Sequence, residues 1–576
     1  MLKKNMMKTI QRIIVASMVI MIVSSWAPFA SAKPSEVQTS VFMDANRNKI
    51  FDELEQIMGH SSDSAIDVIV MFKTAPSDYL IESIRHSVGW FTVKLQWTII
   101  PGMAASLTPS QIWASSWMDE VVQIEYDAPV YACLDTATYW YGAQKARTDF
   151  NVDGDGDGNA TAYSKDDIVI AIIDTGIDPG HVDLDEGKII GWKDFVNNRA
   201  EPYDDHGHGT HCASIAAGTG EGNSAYKGVA PAAALVGVKV LNSQGSGTAS
   251  NVVSGINWAV DNNATYGIEI LSCSFGTSGS SDGTDSVSQA CNNAVDKGLV
   301  VSVAAGNSGP AKYTIGSPGA AEKVITVGSI ADVSHKGFFL NSWSSRGPTK
   351  DDRIKPDVCG PGYLIMAAKY NTKNEYVEKS GTSMSTPFVA GTVALMLDAN
   401  PSLNPTEVKN TIASTSIDWG PSGKDIDYGW GRLDSYEAIR SAGSLSGTGP
   451  AVPNHFYGQE DLPRSRYYDL WKITVTSTDY PLAVSFIIPD WKETWLGGTP
   501  DFDIYIYDPA GKEIGKSTGT KRQEIIAVSI SATGTYTLKV YSYRGSGKYF
   551  FDISVGGSGI SLSKDDGKAS KRNMHA

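Results

Sequence analysis

The chain has 576 residues, more than one ordinary domain holds, so we expect two or three domains. Its composition, with 41% hydrophobic and 19% charged residues, is typical of a globular protein. The net charge of −15 argues against nucleic acid or an anionic membrane as the main partner.

Residues 1–32 are predicted to be a signal peptide. Basic residues precede a short apolar run, Ile13 to Val23, and Ala30 to Ala32 look like a cleavage site. The run is too short for an ordinary membrane-spanning helix, so we expect a secreted, extracellular protein, with an uncleaved anchor as the alternative. Five cysteines are too few for a disulfide scaffold, and the sequence leaves the pairing of the last four open.

Residues 33–135 predict a small α+β unit. The strand-like runs are "IDVIVMF", "VKLQWTII" and "VVQIEYD", and helical patterns occur at 77–88 and around "TPSQIWASS". The segment "DANRNKIFDELE" has Lys49 where a calcium loop usually has glycine. Its oxygen-bearing side chains nevertheless have calcium-loop spacing: Asp44, Asn46, Asn48, Asp52 and Glu55.

Residues 136–443 show a different pattern. Continuous β-branched runs such as "DIVIAIID", "ALVGVKVL", "LVVSVAAG" and "VITVGS" alternate with helical stretches. Apolar strands separated by helices indicate a parallel sheet covered on both faces, so the predicted fold class is α/β.

An acidic loop, "NVDGDGDGN", opens this domain. Oxygen-bearing side chains at alternate positions are the start of a calcium loop, although the bidentate glutamate expected at its end is missing. A merely solvated acidic loop is the alternative. The predicted calcium ligands are Asp153, Asp155, Asp157 and Asn159.

Two candidate catalytic residues follow. The strand "DIVIAII" ends in Asp174, and functional groups of parallel sheets gather at the carboxyl ends of strands, although a turn aspartate is the simpler interpretation. His208 lies between two glycines in "DDHGHGTHCASIAAG". The three histidines of this segment also allow a metal site, but no further zinc ligand is evident.

Asn307 and Ser383 complete the set. Asn307 follows the strand run "LVVSVAAG", where an asparagine is either a turn residue or a rigid hydrogen-bond donor. The small and apolar residues from Pro387 to Leu397 predict a buried helix, and because proline is tolerated in a first turn, the helix should start at 383–386. Ser383 is then either an N-cap or a nucleophile at a helix start that stabilises anions.

Together these side chains predict acyl transfer. A serine hydroxyl becomes a good nucleophile when an imidazole takes its proton, and a carboxylate fixes the tautomer of that imidazole. The tetrahedral oxyanion needs two donors, which the backbone N–H of Ser383 and the side-chain amide of Asn307 would supply.

The motifs "AIIDTGID", "HGTH", "AAGN" and "SGTSMSTP", in this order, resemble the subtilisin-like serine proteases, the subtilases. "GVAP", "WSSRGP" and "GWGRLD" agree, and the resemblance covers about 300 residues. It implies a catalytic triad of Asp174, His208 and Ser383, with Asn307 in the oxyanion hole.

The resemblance also implies a substrate site and a propeptide. Two backbone segments would hold an extended peptide by main-chain hydrogen bonds, and a third would form a wall of the primary pocket. The unit before Thr136 resembles the family's propeptide, an intramolecular inhibitor and folding assistant that the enzyme removes. The implied substrate-binding residues are Gly245, Ser246, Gly247, Ser274, Phe275, Gly276, Ala304, Ala305 and Gly306.

The C-terminal part reads as all-β. A linker at 444–456 precedes period-two strands at 457–556, which resemble the jelly-roll domains appended to secreted subtilases. Asp501 and Asp503 are weak calcium candidates, and the polar tail 557–576 is expected to be disordered.

We therefore expect a secreted, monomeric serine endopeptidase that is stabilised by calcium, uses no catalytic cofactor and acts on proteins. Two rivals stay open. One is a catalytically inactive binding or adhesion protein of the same fold, and the other is a metal-dependent hydrolase that uses the histidine cluster.

Overall fold

The computed structural model describes residues 47–60, 64–96, 101–126, 133–159, 162–492, 499–557 and 561–565. The chain forms two compact units, Met1–Val130 and Tyr131–Ala576. The predicted signal peptide and the candidate ligands Asp44 and Asn46 lie outside the described residues. Among the helices that are described, none is long and apolar enough to cross a bilayer.

The first unit contains a four-stranded antiparallel sheet in the order β2-β3-β1-β4. Side chains of all three helices join those of the sheet in one apolar core. Ser77 caps the helix that begins at Asp78, and Thr108 forms a capping box with Gln111 at the helix that begins at Pro109. The elements are α1 Asp52–His60, β1 Ile66–Phe72, α2 Asp78–Val88, β2 Thr92–Gln96, β3 Gly102–Leu107, α3 Pro109–Ser116 and β4 Val121–Tyr126.

A seven-stranded parallel sheet forms the centre of the second unit, in the order β11-β10-β9-β8-β5-β7-β6. The sequence predicted five of these strands and missed β6 and β11. The strands are β5 Val169–Asp174, β6 Ile189–Asp194, β7 Ala234–Lys239, β8 Ile268–Cys273, β9 Val300–Ala304, β10 Ile325–Ile330 and β11 Val358–Pro361. A small hairpin, β12 Ile365–Ala368 and β13 Tyr376–Lys379, lies beside them.

Helices cover both faces of this sheet, as predicted. Ile170 and Ile172 of β5 pack into one core, and Val169, Ala171 and Ile173 pack into the other. The helices are α4 Cys133–Trp140, α5 Ala143–Phe150, α6 His208–Ala217, α7 Ala249–Asp261, α8 Asn263–Tyr266, α9 Ser286–Asp296, α10 Thr382–Ala399, α11 Pro405–Thr415 and α12 Ser435–Ala442. The last four cysteines, which the sequence left open to pairing, are buried free thiols: Cys212, Cys273, Cys291 and Cys359.

The C-terminal domain is all-β, as predicted. Two antiparallel sheets, ordered β14-β21-β16-β19 and β18-β17-β20-β15-β22, enclose an apolar core. The domain begins inside the predicted linker, and its last strand lies in the predicted disordered tail. The strands are β14 Asn454–Leu462, β15 Tyr468–Val475, β16 Leu482–Ile487, β17 Asp501–Tyr507, β18 Glu513–Ser517, β19 Gln523–Val528, β20 Gly534–Arg544, β21 Gly547–Val555 and β22 Ser561–Asp565.

The four-stranded sheet of the C-terminal domain, β14-β21-β16-β19, packs directly on the parallel-sheet domain. Phe550 belongs to the same apolar cluster as Trp419, and the Trp419 ring stacks on His455 with centroids 4.0 Å apart. Ala483 and Phe339 share a second buried cluster. The two domains are therefore continuous in their cores.

This packing predicts the effect of a buried charge. We expect Ala483→Asp to lower the free energy of unfolding by about 3 kcal/mol, because Ala483 is fully buried and a carboxylate there has no partner. Tyr543→Asp is the control, since Tyr543 lies in the same domain with 64% of its surface exposed. Thermal unfolding of both variants tests this, and an unchanged Tm for Ala483→Asp would contradict the packing.

Candidate active site

Asp174 lies at the carboxyl end of β5, an interior strand beside which the strand order reverses. Its carboxylate is fully buried. Oδ1 accepts hydrogen bonds from the Thr175 N–H and from His208 Nδ1, each at 2.7 Å. The carboxylate therefore fixes the tautomer of His208 and leaves Nε2 free to accept a proton.

His208 is the first residue of α6, and the glycines on either side allow it to reach Asp174. A Cβ at Gly207 would lie 2.1 Å from the Tyr370 ring, and a Cβ at Gly209 would lie 2.1 Å from the Gly176 carbonyl oxygen. Gly207 also has a φ of 87°, a conformation that favours glycine. Side chains at either position would displace the helix that carries His208.

The other two histidines do not converge with His208. His211 Nε2 contacts the carbonyl oxygens of Ile365 and Val377 at 3.1 and 2.9 Å, and the His206 ring centroid is 6.2 Å from that of His208. Ligand atoms of Asp174, His208 and Cys212 do lie within 4.8 Å of one another. Because His208 Nδ1 already bonds to Asp174, this arrangement suits a proton relay better than a metal site.

The helix that carries Ser383 begins at Thr382, one residue before the predicted range, so Ser383 is its second residue and not an N-cap. Pro387 therefore lies in the second turn, later than expected. Because Pro387 has no N–H, the Ser383 carbonyl lacks its usual helical donor. That carbonyl instead accepts from Ser274 Oγ at 2.9 Å and from Cys212 Sγ at 3.4 Å.

Cys212 contacts both His208 and Ser383. Its Sγ lies 3.9 Å from His208 Nδ1 as well as contacting the Ser383 carbonyl oxygen. The Ser383 hydroxyl donates to the Ser274 carbonyl oxygen at 3.0 Å and not to His208.

Asn307 is held beside the start of α10. Its Oδ1 accepts from the Thr382 N–H at 3.0 Å and from the Thr382 hydroxyl at 3.1 Å, which leaves Nδ2 as the free donor end. A Cβ at Gly381 would lie 3.5 Å from Asn307 Nδ2 and 3.6 Å from the Ser383 nitrogen. The space beside Gly381 thus faces both predicted oxyanion donors. The sequence did not single out Thr382.

The predicted substrate segments differ from one another. Residues 274–276 extend from the end of β8, and Gly276 is exposed. Gly245, Ser246 and Gly247 form no strand, because Asn242 closes a turn with the Ser246 carbonyl at 2.8 Å. A Cβ at Gly247 would lie 2.4 Å from the Val240 carbonyl oxygen.

The predicted wall of the primary pocket follows β9. Ala304 and Ala305 are buried, and only Gly306 is partly exposed. The Gly306 N–H donates to the Thr382 hydroxyl at 3.2 Å, which connects this segment to the helix that carries Ser383.

The acidic loop 153–159 folds around an aspartate that the sequence did not single out. Carboxylate oxygens of Asp155, Asp157 and Asp167 lie within 4.8 Å of one another. Burial, and then the charges of its two neighbours, raise the pKa of Asp167. Asp153 Oδ1 instead accepts the Asp155 N–H at 3.2 Å, and the Asn159 N–H donates to Asp157 at 2.9 Å. Three hard oxygen donors fit calcium.

The weaker calcium candidates have different surroundings. Asp501 and Asp503 are buried, and burial together with the charge of Asp501 raises the pKa of Asp503 to about 6. Burial raises the pKa of nearby Glu524 to about 7. In the N-terminal segment, Asn48 Nδ2 donates to Glu55 at 2.6 Å, so two predicted ligands bond to each other.

The model of the subtilase family matches residues 165–431. Over 361 residues the chain is 38% identical to serine protease AprX of Bacillus subtilis (strain 168), an alignment that covers 58% of this chain and 78% of AprX. The chain belongs to the subtilase family.

Other relatives of this subtilase agree. Subtilisin DY of Bacillus licheniformis is 37% identical and thermitase of Thermoactinomyces vulgaris is 36% identical, covering 46% and 47% of this chain and 88% of each relative. Residues 467–542 match the bacterial pre-peptidase C-terminal domain. The predicted family, fold class and enzyme class are thereby confirmed: this subtilase is a subtilisin-like serine protease.

The charge on His208 predicts how activity depends on pH. Burial lowers the pKa of His208, but the attraction of Asp174 and its hydrogen bond outweigh burial and hold the pKa well above its ordinary value. Imidazolium cannot accept a proton, so we expect kcat/KM to rise with pH through a midpoint above about 6.5. A midpoint at or below that value would contradict this electrostatic environment. Asp174→Asn should lower both the midpoint and, by about 10⁴-fold, kcat.

Proposed function

We propose that this chain is a secreted serine endopeptidase that hydrolyses proteins through Asp174, His208 and Ser383. The observation that carries the proposal is the 2.7 Å Asp174–His208 hydrogen bond beside the helix start that holds Ser383. The inactive-protein alternative would need no such bond, and none of the four motif residues is replaced.

The proposed reaction begins when the Ser383 hydroxyl turns from the Ser274 carbonyl to His208 Nε2. His208 takes the proton as Ser383 Oγ bonds to the scissile carbonyl carbon, and Asp174 stabilises the imidazolium. The Ser383 N–H and Asn307 Nδ2 donate to the oxyanion. His208 then gives its proton to the leaving amine, and water, activated by His208, hydrolyses the acyl-enzyme. No catalytic cofactor is needed.

Substrate would add as an extended strand along 274–276. Gly276 presents exposed backbone next to the Ser274 carbonyl, which lies at the nucleophile, so main-chain hydrogen bonds there would fix the scissile bond. The N–H and the carbonyl of Ser246 both bond to Asn242. In the second segment, substrate would therefore bond to Gly247, which lies outside that turn.

The first unit is proposed to be a propeptide that inhibits the monomeric enzyme and is removed by it, with cleavage at 134–136. Its support is the separate compact unit Met1–Val130 together with the motif order of the family. Secretion rests on the pattern of residues 1–32.

The test is the pair Ser383→Ala and Ser385→Ala in the full precursor. Both remove one hydroxyl from α10, but the Ser385 hydroxyl donates to the Gly360 carbonyl oxygen at 3.1 Å and has no role in the proposed reaction. We expect Ser383→Ala to stay full length and to lose peptide hydrolysis by about 10⁶-fold, and Ser385→Ala to mature and stay active. Equal activity in wild type and Ser383→Ala would favour the binding-protein alternative.

A calcium ion is proposed to bind Asp155, Asp157 and Asp167, where it would stabilise the loop before β5. At 100 times its dissociation constant, a bound ion adds about 2.7 kcal/mol of stability. We therefore expect a chelator to lower the Tm of the wild type and to have little further effect on Asp167→Asn. Asp166→Asn is the matched control, because that exposed carboxylate is outside the cluster. An equal chelator effect on all three proteins would exclude this site.

A further inference from the structure

Arg522, from the C-terminal β domain, is buried in the parallel-sheet domain. It immediately precedes β19, and only 1% of its surface is exposed. Both terminal nitrogens contact the Asp427 carboxylate: Nη1 donates to Oδ1, and Nη2 donates to Oδ2 at 3.0 Å. A guanidinium in this environment is held in one orientation by a bidentate pair.

The same guanidinium contacts the loop that carries the proposed oxyanion donor. Arg522 Nη1 donates to the Pro310 carbonyl oxygen at 3.3 Å, and Pro310 is three residues after Asn307. A second contact from the β domain reaches this loop two residues later, where Lys312 pairs with Asp490 at 3.8 Å. The β domain therefore contacts the far end of the loop whose near end holds Asn307.

Ser345 and Arg346 connect this loop to the same carboxylate: Ser345 bonds to the loop, and Arg346 pairs with Asp427. The Ser345 N–H donates to the Gly306 carbonyl at 2.9 Å, and Ser345 Oγ accepts the Ser308 N–H at 3.1 Å, so Ser345 bonds on both sides of Asn307. The next residue, Arg346, is fully buried and donates to Gln523 Oε1 at 2.5 Å. Its Nη1 lies 3.8 Å from Asp427 Oδ1.

We propose that Arg522 is a positioning residue for Asn307, so that the C-terminal β domain helps to form the oxyanion hole. This inference rests on the proposed function, because it needs Asn307 to stabilise the oxyanion. Arg522 acts at a distance: it fixes the Pro310 carbonyl and the Asp427–Arg346 pair, and these hold the loop and its supporting segment.

Two other contacts across the same domain boundary are made by residues outside this loop. Ser554 Oγ, from β21, donates to the Phe338 carbonyl oxygen at 3.3 Å. Ser485 Oγ, from β16, accepts the Leu340 N–H at 2.7 Å. If Arg522 only held the two domains together, replacing it would lower stability and leave kcat unchanged, as we expect for Ser554 and Ser485.

The experiment compares Arg522→Met with Ser554→Ala in the mature enzyme. Activity is measured on a peptide p-nitroanilide, and active sites are titrated to completion with a fluorophosphonate. Both variants should lower the Tm. Only Arg522→Met should lower kcat, by about tenfold with KM nearly unchanged, because a misplaced oxyanion donor affects the transition state and not substrate binding.

A double-mutant cycle with Asn307→Ala decides whether Arg522 acts through Asn307. Asn307→Ala alone should lower kcat by about 10²- to 10³-fold. Adding Arg522→Met should then lower it by less than about twofold more, because the donor that Arg522 positions is already gone. Ser554→Ala should leave kcat unchanged in either background.

The experiment distinguishes failure of the positioning role from failure of the proposed oxyanion role. If Arg522→Met keeps the kcat of the wild type, or multiplies the loss of Asn307→Ala by its own full factor, the positioning role is wrong. If Asn307→Ala itself keeps the kcat of the wild type, the proposed oxyanion role is wrong. If Arg522→Met does not fold, Arg522→Lys replaces it in the same cycle, because lysine keeps the charge but cannot make all three contacts. A wild-type kcat in Arg522→Lys would then overturn the proposal.

Discussion

The buried hydrogen bond between Asp174 and His208 is the contact on which the rest of the site depends. A carboxylate without solvent is costly unless hydrogen bonds satisfy it, and Asp174 has two donors on one oxygen. To deliver the second donor, α6 must begin directly against the end of β5. That approach excludes a Cβ at Gly207 and Gly209, because the ring of Tyr370 and the backbone of Gly176 fill the space. Glycine is therefore required on both sides of His208 because the histidine lies so close to Asp174.

The helix that carries Ser383 follows a second constraint. If every carbonyl in the first turns of this helix were bonded within the helix, the Ser383 carbonyl would not be free to accept hydrogen bonds from other elements. Pro387 removes one internal donor, and the freed carbonyl of Ser383 accepts hydrogen bonds from Ser274 and Cys212. Ser383 is thus fixed to the end of β8 and to α6, which carries His208. Proline in the second turn allows both contacts, and a proline confined to the first turn would not free this carbonyl.

The sequence predicted the parts whose signal is local. Buried parallel strands with β-branched residues, such as β5 and β7, are visible as continuous apolar runs, and Asp174 is the last residue of one of them. β11 was missed because it has four residues and ends in proline, and β6 was missed because polar residues interrupt it. Asp167 was missed for another reason. It lies fourteen residues after Asp153, beyond the span of an ordinary calcium loop, so only the fold brings it to the cluster.

Arg522 shows what a single sequence does not reveal in principle. An arginine between a polar turn and an edge strand is typical of a solvent-exposed residue, and its buried partner Asp427 is 95 residues away in the chain. Burial of such a pair stabilises little by itself, whereas loss of one partner leaves a charge without solvent or counterion. The parallel-sheet domain without its β domain would hold Asp427 and Arg346 at a newly exposed surface, next to the loop of Asn307. The packing of Phe550 against the cluster of Trp419 joins the two domains, and the ion pair of Arg522 joins the β domain to the parallel-sheet domain beside the loop of Asn307.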